Sequence, residues 1–318
     1  MNALSRPSPM ARWGQAALRA NPVPPMPELP EVETVRRGLQ PAMEGARFLD
    51  VETRRGDLRT PFPAGFAKRL AGRRVVALGR RGKFLLADLD DGEVLVMHLG
   101  MSGSFRIEAG EESQTPGAYH RQRSRLSAHD HVVFTMSSGA RVIYNDPRRF
   151  GLMDLLAGEA VAGSRHFKAM GVEPLGPDFT PGYLATRFGG KAAPLKAALL
   201  DQGIVAGLGN IYACEALWRS RLSPLRAAGT LATKAGKPTA RATRLVDACK
   251  AVLTEAIGAG GSTLRDHALT DGTLGTFQHR FRVYDREGHP CTRDGCRGLI
   301  KRIVQNGRST FFCSVCQR

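Results

Sequence analysis

The sequence predicts an α+β, multi-domain chain with an N-terminal antiparallel β-sandwich, a helical domain and a C-terminal zinc ribbon. Three observations predict this order. Short apolar runs separated by tight turns fill residues 48–155, an apolar repeat of helical period follows, and four of the six cysteines lie in the last 28 residues. The predicted segments are 1–25 (a leader), 26–160 (the sandwich), 161–182 (a linker), 183–285 (the helical domain) and 286–318 (the ribbon).

The first 25 residues differ in composition from the rest of the chain. They contain five prolines, three arginines and no acidic residue, which is typical of a disordered leader. A cleaved targeting peptide is one alternative, although the prolines oppose the amphipathic helix that such peptides form. A mis-assigned start, with Met26 as the true first residue, is the interpretation we favour.

A short helix is predicted from Pro30 onward. Proline suits the first turn of a helix, and Glu31 and Glu33 suit the positive end of its dipole. Three apolar residues recur at helical spacing and share one face: Val32, Val35 and Leu39.

Residues 48–155 read as β-structure because apolar runs alternate with hairpin turns. Residues 84–89 and 94–99 are joined through Asp90-Asp91-Gly92, and residues 132–136 and 141–144 surround Ser138-Gly139. Several short strands with tight turns predict a two-layered antiparallel sandwich.

The glycine- and proline-rich stretch 171–182 predicts a link between domains. Beyond it, residues 195–200 and 211–218 predict helices on either side of the turn GIVAGLGN. A longer helix is predicted from one apolar stripe: Leu245, Cys249, Val252, Leu253, Ala256 and Ile257. Cys214 and Cys249 stand alone in such stretches and are predicted to be buried thiols.

The tail carries two close pairs of cysteines: Cys291 with Cys296, and Cys313 with Cys316. Four thiolates in this arrangement are typical of one tetrahedral structural zinc ion. Disulfides are the alternative, although Cys313 and Cys316 are close for a bridge within a turn. A module of this size has little core, so zinc binding on the order of 10 kcal/mol would supply its stability.

The charge of the chain favours polyanionic partners. Lys and Arg outnumber Asp and Glu by 46 to 29, giving a net charge of +17 and a pI near 10.3. A ribosomal or merely basic protein is the alternative on charge alone. The sequence has no run of 18 apolar residues to span a membrane.

The sharpest motif, MPELPEVETVRRGL, starts at Met26 and resembles the start of the formamidopyrimidine-DNA glycosylases, which remove 8-oxoguanine and ring-opened purines. That family folds as a β-sandwich, a helix–two-turns–helix module and a zinc ribbon, so the resemblance implies the same architecture over residues 26–318. Six further motifs resemble the family in the same order: 81–83 (RGK), 97–103 (MHLGMSG), 129–131 (HDH), 146–151 (DPRRFG), 209–213 (GNIYA) and 307–317 (GRSTFFCSVCQ).

The resemblance implies that Pro27 is the nucleophile. A terminal proline carries a secondary amine, and condensation with the sugar carbon gives an iminium that withdraws electrons from the neighbouring C–H bond. A terminal amine has a pKa of about 8, so a usable fraction is unprotonated at neutral pH. The resemblance assigns proton transfer to Glu28, β-elimination to Lys83, and δ-elimination with phosphate clamping to Arg308. For Lys83 and Arg308, a cation that only binds the DNA backbone is the alternative.

Met101, Arg148 and Phe150 resemble the residues that fill the void left by a flipped base. Arginine offers only donors, so Arg148 suits the O2 and N3 acceptors of a widowed cytosine better than the amino group of adenine. On composition alone, Met101 and Phe150 would be core residues.

His129, Lys191 and Asn210 resemble family residues that hold DNA phosphates, and the helix start at Asn210 also favours an anion. The polar segment 260–272 resembles the loop that covers the flipped base, with an ordinary solvated loop as the alternative.

The resemblance therefore implies a bifunctional DNA glycosylase and abasic-site lyase of base excision repair. Its expected partner is double-stranded DNA containing oxidised purines, and its expected cofactor is one structural Zn²⁺. We expect a monomer in the bacterial cytoplasm, associated with the nucleoid through DNA and with no membrane partner.

Two features depart from the family pattern. The family proline works as the chain terminus, yet 26 residues precede Pro27, and the spacing from Cys291 to Cys296 is wider than the commoner two residues. Three alternatives stay open. They are a non-catalytic binder of damaged DNA with a blocked terminus, the sibling glycosylase for oxidised pyrimidines, and a zinc-ribbon protein of translation or transcription. The sibling family typically opens with PEGP where this chain has PELP, and the third class has no reason to carry Pro27-Glu28.

Overall fold

The computed structural model describes residues 26–110, 112–114, 127–262 and 276–318. The predicted leader, 1–25, lies outside the described residues, and so does the predicted base-covering segment beyond Ser262. Within the described ranges, no helix is long and apolar enough to cross a membrane.

Two antiparallel sheets form the N-terminal sandwich, as predicted. One contains β1 (Phe48–Thr53), β5 (Ser104–Ala109), β6 (Glu112–Gln114), β7 (Asp130–Met136) and β8 (Arg141–Asn145), in the order β1-β7-β8-β5-β6. The other contains β2 (Val75–Arg81), β3 (Phe84–Leu89), β4 (Glu93–His98) and β9 (Leu152–Ala157), in that order.

Both predicted hairpins form. Leu86 pairs with Val96 across β3 and β4, and Val133 pairs with Ile143 across β7 and β8. A one-turn helix, α2 (Phe66–Leu70), interrupts the region that we predicted to be entirely β.

Helix α1 (Leu29–Met43) is longer than the short helix predicted, at 15 residues. Val32, Val35 and Leu39 are fully buried and join the core between the two sheets. Burial of this apolar face, worth about 1.5–3 kcal/mol for each large side chain, explains why the helix continues through Pro41. Helix α1 also packs against the helical domain, so its first residues lie where the two domains meet.

The helical domain contains α3 (Pro181–Phe188), α4 (Leu195–Leu199), α5 (Asn210–Arg219) and α6 (Ala240–Gly258). The predicted stripe of α6 is buried against α5 except at Ile257, which is half-buried. Helix α3 begins one residue before the predicted end of the linker at 182, because the Thr180 hydroxyl caps it by accepting from the Tyr183 N–H at 3.1 Å.

The C-terminal module is an antiparallel hairpin of β10 (Ile300–Gln305) and β11 (Arg308–Cys313). Its two turn residues, Asn306 and Gly307, both have positive φ (48° and 72°), as a tight type I′ turn requires. Strand β11 packs against α5. The predicted fold class is confirmed in all three parts.

Candidate active site and zinc centre

Glu28 lies at the start of α1, 3% exposed and beside the buried Pro27. Its Oε1 accepts from the Ile211 N–H of α5 at 3.0 Å, while its Oε2 has no hydrogen-bond partner among the described residues. Burial raises the pKa of Glu28 to about 7, and the nearby positive charge of Lys83 opposes that rise. A carboxyl group that titrates near neutrality is suited to both donating and accepting a proton.

Gly209 makes room for this carboxylate. A Cβ added at Gly209 would lie 2.1 Å from the Glu28 carboxyl carbon. The backbone at Gly209 is extended (φ −122°), a conformation that any residue can adopt. The position therefore needs glycine because a side chain would not fit there. The GLGN turn, which we had assigned to phosphate binding, therefore also seats Glu28.

Glu31 joins the chain around Pro27 to a distant segment. Its Oε2 accepts from the Glu28 N–H at 2.9 Å, and its Oε1 accepts from the Ser262 N–H and hydroxyl at 2.7 and 2.9 Å and from the Tyr212 hydroxyl. From the sequence, we predicted for Glu31 only a favourable position at the positive end of the helix dipole. Its spacing of three residues from Glu28, typical of a capping box, was the available signal.

Lys83 is the second residue of the β2–β3 turn and is 9% exposed. Burial lowers its pKa; the charge of Glu28 opposes this, and that of Arg308 adds to it. Lys83 is thus close enough to both Glu28 and Arg308 to feel their charges.

Glu173, a residue of the predicted linker with no role predicted from the sequence, holds the turn that contains Lys83. The Glu173 carboxylate accepts from the guanidinium groups of Arg80 and Arg81, each at 2.9 Å, and from the Gly82 N–H. The linker therefore fixes the backbone conformation immediately before Lys83.

Arg308 is exposed at the first position of β11. The next residue, Ser309, is tied to the helical domain because its carbonyl accepts from Asn210 Nδ2 at 2.9 Å. At this helix start, which was predicted to favour an anion, the Ile211 N–H donates to the Glu28 carboxylate. Contact between Asn210 and a phosphate stays a prediction.

Met101, Arg148 and Phe150 are brought together by two loops. An added Cβ at Gly100 would lie 2.3 Å from the Phe150 backbone, and the Ser102 hydroxyl accepts from the Arg148 N–H at 3.2 Å. The Arg148 guanidinium lies 4.7 Å from the centre of the Phe150 ring. Phe150 is 40% exposed and Met101 is half-buried, so the alternative of core residues is wrong for both.

The other two predicted phosphate ligands lie at the surface. His129 is half-buried just before β7, and its carbonyl accepts from the Asp146 N–H at 3.0 Å. Lys191 is exposed between α3 and α4.

The four tail cysteines converge, with all their sulfur atoms within 4.8 Å of one another. Sγ of Cys291 lies 3.8 Å from that of Cys316, and Sγ of Cys296 lies 3.6 Å from that of Cys313. Tetrahedral zinc with Zn–S bonds of about 2.3 Å requires sulfurs roughly 3.8 Å apart, so the residues fit one zinc ion.

All six cysteines lie in the described residues and are free thiols, so the disulfide alternative is wrong. The wide spacing is accommodated by a turn in which the Cys296 N–H donates to the Arg293 carbonyl at 3.0 Å. Cys214 and Cys249 are buried, as predicted.

Family models match three consecutive parts of the chain. They are the formamidopyrimidine-DNA glycosylase N-terminal domain over residues 26–153, the H2TH domain of the same proteins over 170–268, and the "zinc finger found in FPG and IleRS" over 288–318. The zinc finger match and the four-cysteine cluster confirm the predicted structural zinc site.

Full-length relatives carry the same name. A formamidopyrimidine-DNA glycosylase of Bradyrhizobium is 62% identical over 293 residues, and one of Beijerinckia indica is 65% identical over 294; each match covers 92% of this chain and 100% of the relative. Among solved structures, Lactococcus lactis Fpg in complex with abasic-site DNA is 32% identical, with a TM-score of 0.76, and covers 92% of this chain and 99% of its own. MutM (Fpg) from Thermus thermophilus is 38% identical, with a TM-score of 0.74, covering 92% and 98%.

Proposed function

Because the chain belongs to the formamidopyrimidine-DNA glycosylases, a family of DNA-repair enzymes, we propose that it is a bifunctional glycosylase and abasic-site lyase. It excises 8-oxoguanine and formamidopyrimidines from double-stranded DNA and then cuts the strand by β,δ-elimination. It works as a monomer on the DNA of the bacterial cytoplasm. The observation that carries this proposal is the buried carboxyl of Glu28, seated beside Pro27 on the amino end of α5.

In the first step, the secondary amine of Pro27 attacks C1′ of the damaged nucleotide, and the bond from C1′ to the base breaks. The amine loses its proton, which leaves with the departing base; the sugar ring then opens, and an iminium forms between the Pro27 nitrogen and C1′. The ring oxygen needs a proton at this point. Glu28 supplies it, because its raised pKa of about 7 keeps a large protonated fraction at neutral pH.

Strand cleavage uses the acidity that the iminium gives to C2′. Loss of a C2′ proton expels the 3′ phosphate, and a second elimination expels the 5′ phosphate. Burial lowers the pKa of Lys83, which favours a role in proton transfer over that of a plain phosphate-binding cation. Arg308, exposed at the hairpin turn, is placed to bind the departing phosphate.

The exposed Phe150 and the guanidinium of Arg148 stacked on it suit insertion into the duplex. Met101 fills the vacated space on the lesion strand, and Arg148 donates to the cytosine opposite. His129, Lys191 and Asn210 contact phosphates along the backbone. Arg148 favours cytosine because its guanidinium can only donate hydrogen bonds. Opposite adenine, it would meet an amino group, which is also a donor.

The test is borohydride trapping on a duplex with 8-oxoguanine opposite cytosine, followed by mass mapping of the adduct. Protein that begins at Pro27 should give an adduct on the Pro27 nitrogen. Pro27→Gly keeps a terminal amine but makes it primary, so lyase activity should fall sharply while DNA binding survives. Pro177→Gly, an exposed loop proline, is the matched control and should behave like the parent.

A chain that retains residues 1–26 should bind lesion DNA but give no trapped adduct, because its Pro27 nitrogen is an amide. An adduct that maps to Lys83, or an active enzyme that keeps those residues, would exclude the proline mechanism.

A further inference from the structure

Helix α4 carries a lysine with no exposed surface. Lys196 is 0% exposed, and its Nζ donates to the Thr310 hydroxyl at 2.6 Å and to the Ser309 carbonyl at 3.2 Å. It forms no ion pair with an acidic side chain in the described ranges. Burying an ammonium group without a counter-ion is unfavourable, so a lysine at this position needs a reason beyond packing.

Both acceptors belong to the two residues that follow Arg308 in β11. The Ser309 carbonyl also accepts from Asn210 Nδ2 at 2.9 Å. Strand β11 is therefore held, immediately behind Arg308, by one donor from α4 and one from α5. We call these four residues the latch: Lys196, Asn210, Ser309 and Thr310.

The latch borders a cavity of about 260 Å³ between α4 and the tip of the hairpin. Lys196 and Arg308 both line it, together with the carboxylate-bearing Asp201 and the amide of Asn306. Burial lowers the pKa of Lys196; Cys214 and Glu28 oppose this lowering, and the charge of Arg308 adds to it. Two basic side chains thus line one cavity beside the tip of the hairpin.

We propose that Lys196 is a positioning residue that holds β11 so that Arg308 is presented to the phosphate released in δ-elimination. The chemistry in this inference rests on the proposed function, whereas the hydrogen bonds of Lys196 do not depend on that function. An ammonium group serves better than a neutral donor because it adds positive charge behind Arg308, and an arriving phosphate offsets the unfavourable burial of that charge.

The experiment compares Lys196→Met with Lys237→Met in the full protein. Methionine preserves most of the length and apolar stem of lysine but removes the donors and the charge. Lys237 is exposed on the helical domain and lies outside the proposed site, so its variant controls for loss of one positive charge. Zinc content and melting temperature establish that each variant is folded.

Two readouts follow. On abasic-site DNA, the ratio of δ- to β-elimination product should fall roughly tenfold in Lys196→Met, the loss expected for a hydrogen bond to a charged group, while β-elimination persists. For an uncleavable tetrahydrofuran duplex, affinity should fall, and the slope of log K against log salt should shrink by about 1. Lys237→Met should keep the parent product ratio.

Thr310→Val removes one acceptor of the latch without changing the shape of the side chain. It should lower the δ to β ratio in the same direction, and the double variant Lys196→Met/Thr310→Val should be no worse than Lys196→Met alone. If Lys196→Met loses zinc or unfolds, the Thr310→Val result decides the matter.

Parent-like product ratios and salt slopes in folded, zinc-containing variants would overturn the inference. A parent protein that does not cut abasic DNA would count against the proposed function instead. In that case the affinity and salt slope on the uncleavable duplex still decide whether Lys196 positions the hairpin.

Discussion

Substitution of Gly209 by alanine should disable the proposed chemistry without removing any group that takes part in it. The added Cβ would lie 2.1 Å from the Glu28 carboxyl carbon. Carbon atoms pack at about 3.5 Å or more, so the carboxylate must move by roughly 1.4 Å. A displacement near 1 Å at a reacting group lowers the rate by about 100-fold, and complete loss of a general acid or base lowers it by up to about 10⁴-fold.

We therefore expect Gly209→Ala to lower single-turnover excision of 8-oxoguanine by about 100-fold or more. Overpacking should also reduce the free energy of unfolding by about 1–3 kcal/mol. Gly56→Ala is the matched control, because an added Cβ there meets nothing within 4 Å. The assay is quenched-flow excision with saturating enzyme, with zinc content and melting temperature measured on the same samples.

A double variant sharpens this test. Glu28→Ala removes the carboxylate that the new Cβ would strike, so Gly209→Ala should reduce stability much less in that background than in the parent. A Gly209→Ala enzyme that excises at the parent rate, when Glu28→Gln does not, would refute the packing argument.

Three further predictions concern other parts of the site. Arg148→Ala should flatten the preference for cytosine over adenine opposite the lesion, measured as the ratio of single-turnover rates; equal rates in the parent would contradict our assignment. Zinc removal, or Cys313→Ser, should unfold the hairpin and reduce DNA affinity by orders of magnitude while the sandwich stays folded, as metal analysis, circular dichroism and binding titration would report; unchanged binding by metal-free protein would be inconsistent with this. Burial raises the pKa of Glu28 from 4.5 to about 7, so the folded chain retains a proton that the unfolded chain releases, and stability falls as pH rises through that interval. Glu28→Gln should accordingly gain melting temperature relative to the parent between pH 5 and pH 8, and a constant difference would show that the carboxyl is not buried in solution.

Local patterns in the sequence were sufficient for most elements of the fold. The turn residues between β3 and β4 and between β7 and β8 fix both hairpins, because their glycines supply the positive φ of tight turns. The apolar period predicted α5 and α6, and the four tail cysteines predicted zinc. One error came from tertiary packing: α1 runs well beyond the short helix expected because its apolar face fills the sandwich core. The predicted domain limits at 160 and 285 remain predictions.

The proposed site was only partly accessible to sequence reasoning. Motifs named Pro27, Glu28, Lys83 and Arg308 through their resemblance to a family, but not the groups that orient them. Glu173 holds the turn that contains Lys83 from about ninety residues away. It was missed because an acidic residue in a polar linker resembles any solvated charge.

The sequence by itself determined the order of domains, the zinc ligands and the chemistry that the motifs imply, because these depend on residue type and short spacing. Only the tertiary structure decided which groups meet. Glu28 binds the N–H of a residue 183 positions away, and Lys196 reaches across 114 positions to Thr310. The raised pKa of Glu28 and the buried charge of Lys196 follow from the exclusion of water where separate elements pack together. Water is excluded by residues that are distant in the sequence, so the sequence neighbours of Glu28 and Lys196 do not specify it.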